Sequence, residues 1–112
     1  ETTFPTDVFD VSEMRYAFQD LAQDVAGRLR RQHLRGRVVT LKARYPDFET
    51  ITRSLTGGRY LDTAPRVFDI AVELLSRTDA HRRGVRLLGV AVSGFADAGG
   101  ASQLDLFDRR ES

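Results

Sequence analysis

The chain has no cysteine and no tryptophan, and only two histidines, so disulfides and thiolate metal sites are excluded and few side chains remain for a nitrogen-ligated metal. The lack of cysteine fits a reducing interior. No uninterrupted apolar run approaches the roughly 20 residues that span a bilayer, and no secretory signal pattern is present, so no membrane partner is expected. The chain starts at Glu1 rather than Met, as expected of a piece of a longer protein. Its 112 residues suffice for one domain, and 41% hydrophobic content provides for a modest core.

Net charge is +1, with 17 basic and 16 acidic residues, yet the layout is polarised. Residues 28–44 carry seven bases (Arg28, Arg30, Arg31, Arg35, Arg37, Lys42, Arg44) and no acid, whereas residues 1–14 carry four acids and no base. Such a layout suits a polyanion on one side of the molecule.

Met14, Ala17, Phe18, Leu21, Val25 and Leu29 recur at helical spacing and predict an amphipathic helix over 11–31. Asp10 and Glu13 resemble a capping box at its start, and Gly36 offers a stop beyond its end. "GRVVTLKARY" (36–45) then alternates, with Val39, Leu41 and Ala43 on one face and Val38, Thr40, Lys42 and Arg44 on the other. Pro46-Asp47 supplies turn chemistry, and "TITRSLT" (50–56) reads as the hairpin partner. Ile51, Arg53 and Leu55 share one side of it, which leaves open which face is buried.

"GGRYLD" (57–62) reads as a loop, and Thr63 as the cap of a second helix with Pro65 in its first turn. Val67, Ile70, Ala71, Leu74 and Leu75 form that helix's apolar stripe, which "DAHRRG" ends. The last strand spans 85–95, with Leu88, Val90 and Val92 inward and Leu87, Gly89, Ala91 and Ser93 outward. A short strand at 2–4 completes a βαββαβ order. The predicted class is α+β: a four-stranded antiparallel sheet with two helices packed on one face and the other face open. The domain is expected over 1–95, with 96–112 as a flexible C-terminal tail.

Catalysis has little to stand on. His33 and His81 lie in hydrophilic stretches without ligand spacing, Asp20 and Asp24 read as a solvated helix face, and "TGG" (56–58) lacks the lysine of a phosphate loop. A small acylphosphatase-like enzyme on the same layout fails for want of a basic phosphate-cradling loop. Binding is better supported. Lys42 and Arg44, with Arg35, Arg37 and Arg53 nearby, can follow a phosphate backbone. The outer positions of the last strand carry no aromatic residue on which a base could stack, so phosphate contact without base reading is expected.

"GRVVTLKARYPDFETITRS", "RGVRLLGVAVSGF" and "QLDLF" occur in this order in the little-finger domain of Y-family translesion DNA polymerases of the bacterial DinB type, which the chain resembles over nearly its whole length. "ETTFPTDV" is similar to the start of that domain and "RVFDIAVELL" to its second helix. The resemblance implies a sheet seated in the major groove of primer–template DNA, gripping both backbones. It implies backbone contacts from Lys42, Arg44, Thr52, Arg53, Ser54 and Arg86, alongside Arg35 and Arg37. Relatives often carry a base where Leu55 and Ala91 stand.

It also implies no catalytic residue, cofactor or small-molecule ligand in this part of the enzyme. The Mg2+-binding acids of nucleotidyl transfer belong to the palm domain. The tail resembles the sliding-clamp-binding motif, with Gln103, Leu104, Asp105, Leu106 and Phe107 in its five places. The partners implied are primer–template DNA and the bacterial sliding clamp, reached from the nucleoid. The alternative expectation is an interaction domain of a catalytically inactive relative, binding the clamp but little DNA.

Overall fold

A computed structural model describes residues 1–97. The elements are β1 (Thr2–Val8), α1 (Val11–Arg31), β2 (Leu34–Arg44), β3 (Thr50–Leu61), α2 (Ala64–Leu75), α3 (Ala80–Arg83), β4 (Val85–Ser93) and β5 (Ala96–Asp97). The four main strands form an antiparallel sheet in the order β1-β4-β2-β3, and the short β5 pairs with the start of β2. The expected α+β class holds, with α1 and α2 packed on one another and on one face of the sheet.

All six residues of the α1 stripe are buried, so the 3.6-residue period identified the inner face of this helix. Phe18 and Met14 meet Leu41, Leu74 and Leu88 in the fully buried centre, where each side chain contributes roughly 1.5–3 kcal/mol by leaving water. The Asp10 carboxylate accepts a 2.8 Å hydrogen bond from the Ser12 N–H, satisfying one of the orphan amides of the first turn. Arg28, Arg30 and Arg31 in the last turn complement the helix dipole.

The helix stops earlier than Gly36. His33 takes the left-handed conformation (φ 56°), and its N–H bonds to the Arg30 carbonyl. Gly36 instead lies buried inside β2, where an added Cβ would stand 2.3 Å from a Val92 methyl and 2.8 Å from the Ser93 carbonyl. Glycine is required there by close approach, not by a turn.

Other boundaries also move. β1 runs to Val8 rather than residue 4, with an irregularity between Thr3 and Val8. β3 continues to Leu61, so the glycine pair sits within a strand rather than a loop. Gly36 pairs with Leu61 and Val38 with Thr56, so residues 57–60 bulge opposite Arg37 alone. The burial of Leu61 in the core explains why the strand resumes. Thr63 occupies the cap of α2 but makes no side-chain hydrogen bond there. The segment after α2 forms α3, and Ala96–Asp97, expected to open the tail, pairs with Leu34 and Arg35.

At the β2–β3 turn, Arg83 ties α3 to the connection between the two strands. It pairs with Asp47 (2.9 Å) and Glu49 (3.0 Å), and its guanidinium lies 3.7 Å from the ring centroid of Tyr45. Burial opposes its charge, but the hydrogen bond to Glu49 and the two carboxylates outweigh this and hold Arg83 firmly protonated.

Candidate nucleic-acid interface

Because partners in register share a face, the pairing of β2 defines the open side of the sheet. Arg44 stands between Leu87 and Thr50, Lys42 between Gly89 and Thr52, Thr40 between Ala91 and Ser54, and Val38 between Ser93 and Thr56. The β3 edge of this face is thus a row of four hydroxyls: Thr50, Thr52, Ser54 and Thr56. Across it, β4 contributes mostly small residues.

Several side chains on this face are already fixed. Thr40 and Ser54 share a 2.7 Å hydrogen bond, and Arg44 Nε donates to Thr50 Oγ1 at 2.9 Å. Lys42 Nζ donates to Glu1 Oε2 at 2.6 Å. That bond, and then the charge of Lys42, hold the Glu1 carboxyl below its ordinary pKa. Gly89 makes room for the contact, since a Cβ there would lie 3.3 Å from Glu1 Cγ. Leu87, although on the open side, is almost fully buried (5% exposed), so this row is not a polar strip throughout.

The structure therefore brings together Lys42, Arg44, Thr52 and Ser54. It does not place Arg53 with them. Ile51, Arg53 and Leu55 pair with Ala43, Leu41 and Val39, on the side of the sheet that carries the helices. Arg53 tolerates that side because β3 is the edge strand; it remains exposed and bonds the Thr52 carbonyl. Leu55 on the same side packs against the core, so its apolar character removes no cation from the open face.

Arg86 is half-buried and turned to β1, donating to the Phe4 carbonyl (3.3 Å) and facing Asp7 (3.5 Å). Arg35 and Arg37 sit at the start of β2, at the other end of the sheet. There Arg37 lies over Tyr60, 5.5 Å from the ring centroid. Gln103, Leu104, Asp105, Leu106 and Phe107 lie outside the described residues. The sequence reading missed Glu1, Arg59 and Tyr60. An arginine and an aromatic directly after a glycine pair, with no acid until Asp62, were the available signal for the last two.

Among the described residues no group of three or more His, Asp or Glu side chains gathers where it could hold a metal ion, and no helix is long and apolar enough to cross a membrane. The arrangement offers directed cations and hydroxyl donors on the open face of the sheet.

A family model described as the impB/mucB/samB family C-terminal domain matches residues 1–106. The chain belongs to this family. Among curated relatives of this impB/mucB/samB C-terminal domain, DNA polymerase IV of Alkalilimnicola ehrlichii is 46% identical over 109 residues, covering 96% of this chain and 30% of the relative. DNA polymerase IV 1 of Mesorhizobium japonicum is 37% identical over 108 residues, covering 96% of this chain and 24% of the relative. The chain thus spans less than a third of either relative's length.

Two solved structures share the fold of this impB/mucB/samB C-terminal domain. The little finger domain of PolIV, solved in complex with the beta-clamp processivity factor, aligns with a TM-score of 0.68 at 23% identity, covering 95% of this chain and 94% of that one. The insertion ternary complex of Dbh DNA polymerase aligns with a TM-score of 0.71 at 17% identity, covering 82% of this chain and 26% of that one. The fold is that of the little finger of Y-family polymerases.

Proposed function

We propose that this domain holds the primer–template duplex of a translesion DNA polymerase against its open sheet face, touching phosphates without reading bases. The observation that carries this reading is the composition of that face. Lys42 and Arg44 stand among Thr40, Thr50, Thr52 and Ser54, and the small, exposed Ala91 facing Thr40 lets a backbone approach. The names of the relatives support it. Nucleotidyl transfer, with its Mg2+, takes place in a part of the parent enzyme outside this chain, which acts in the bacterial cytoplasm at the nucleoid.

We further propose that Gln103–Phe107 tether the parent polymerase to a sliding clamp. The solved complex of a PolIV little finger with the beta-clamp supports this reading. Leu106 and Phe107 would fill an apolar pocket on the clamp, each contributing roughly 1.5–3 kcal/mol before ordering costs. Gln103 would supply directional hydrogen bonds. The net affinity of such a peptide is on the order of micromolar.

Salt titration of primer–template binding tests the first reading. Log affinity should fall linearly with log salt, with a slope of about −0.9 per phosphate neutralised. A folded domain that binds no duplex at low salt rejects it and favours the clamp-only alternative, to which the pairing of Lys42 with Glu1 lends some weight. For the tether, L106A/F107A should abolish capture by a purified bacterial clamp while leaving the thermal melt unchanged. Capture that survives the double substitution rejects it.

A further inference from the structure

The cations of the open face are not the least encumbered ones. Lys42 is held by Glu1, Arg83 by Asp47 and Glu49, Arg86 by Asp7, Arg82 by Asp79 and Arg77 by Glu73. Arg44 lies in the field of the same Glu1 carboxylate. Arg35, Arg37 and Arg59 are among the arginines that form no ion pair within the described residues, and all three are exposed.

The bulge of residues 57–60 brings Arg37 and Arg59 to one place. A Cβ at Gly57 would stand 3.5 Å from the Arg59 carbonyl and 3.7 Å from that of Arg37, so the three backbones are in contact. Gly58 has no neighbour within 4 Å of where a Cβ would be, leaving the bulge open to solvent. Arg37 is also set in direction. Its stem passes Gly94, whose left-handed φ of 70° and missing side chain leave room for Arg37 Cγ and the Val38 methyl, and its head rests over Tyr60. A guanidinium positioned beforehand loses less freedom on binding than a free one.

We propose that the Gly57–Tyr60 bulge, with Arg59 and the Tyr60-supported Arg37, is the principal phosphate-binding point of this domain and takes the phosphodiester backbone of one DNA strand. Lys42 and Arg44 then act as a secondary contact that must displace Glu1. The inference rests on the DNA-holding reading above and assigns its strongest contact to the end of the sheet where β3 bulges.

The test compares the wild-type chain with R37A/R59A and K42A/R44A in salt titrations of primer–template duplex binding, with R37Q/R59Q as a second neutral pair that retains longer polar stems. R37A/R59A and R37Q/R59Q should each flatten the log–log slope by about 1.8, two phosphate contacts, and K42A/R44A by less. If the wild type binds and the Arg37/Arg59 pairs leave the slope unchanged, the inference is overturned while DNA holding stands. If the wild type does not bind at all, the DNA-holding reading fails and this inference with it.

Discussion

Lys42 Nζ reaches Glu1 Oε2 across 2.6 Å, over the bare backbone of Gly89. The contact occupies a cation of the proposed DNA face with an internal anion. Replacing Glu1 by Gln should therefore strengthen duplex binding at low salt and steepen the salt dependence by about 0.9, one additional phosphate. Fluorescence anisotropy with labelled primer–template measures both. An unchanged slope means that Lys42 takes no part in the interface.

The same pair has a pH signature. The hydrogen bond from Lys42, and then its charge, lower the pKa of Glu1 in the folded state. A depressed carboxylate contributes stability that is fully present above its unfolded pKa and is lost as pH falls through its folded pKa. Carbon-detected NMR of the Glu1 carboxyl should give a midpoint below the ordinary glutamate value. Lys42→Met should return that midpoint to the ordinary range.

Arg83 links the β2–β3 turn to α3 through Asp47, Glu49 and the face of Tyr45. The turn itself is strained, since Phe48 sits at φ 71°. Its N–H bonds to the Tyr45 carbonyl at 2.9 Å, and the Tyr45 N–H bonds to Glu49 at the same distance. Arg83→Met should accelerate amide exchange at Tyr45 and Phe48 and lower the melting temperature, leaving exchange in α1 unaffected. Equal protection in both proteins would mean that the turn holds itself.

Gly36→Ala forces a methyl into the 2.3 Å gap before Val92. Overpacking of this kind costs about 1–3 kcal/mol, read as a lower urea midpoint with an unchanged m-value. Adding Val92→Ala should recover part of the loss by returning volume to the site.

Periodicity made much of this architecture legible. The α1 stripe and the alternation of β2 are long enough that only one burial pattern fits, and both faces were assigned correctly. Glycine misled the reading twice. Gly36 looked like a helix stop because the packing of Val92 against it is a tertiary fact, and the stop fell to His33, which pays the left-handed strain itself. Gly57 and Gly58 looked like a loop because their local chemistry is that of a turn, while the strand resumes only to bury Leu61. The side taken by Arg53 was undecidable from its neighbours, since an edge strand is half-covered and tolerates Ile51, Arg53 and Leu55 together. Arg59 went unnoticed because its importance depends on which other arginines are already paired.

The chain's charge order becomes a spatial one. Asp7, Asp10, Glu13, Asp47, Glu49 and Asp79 collect around the N-terminal end of α1, where β4 begins, and Arg82, Arg83 and Arg86 among them offset part of their charge. Arg28, Arg30, Arg31, Arg35, Arg37 and Arg59 collect at its far end, roughly 30 Å away for a 21-residue helix. A body so divided carries a permanent electric moment along its strands despite a net charge of +1. If the domain holds DNA as proposed, the field of that polyanion should turn it before contact, with the arginine end leading. That rotation costs no binding energy and shows up in the association rate, which should drop with added salt while the dissociation rate responds less.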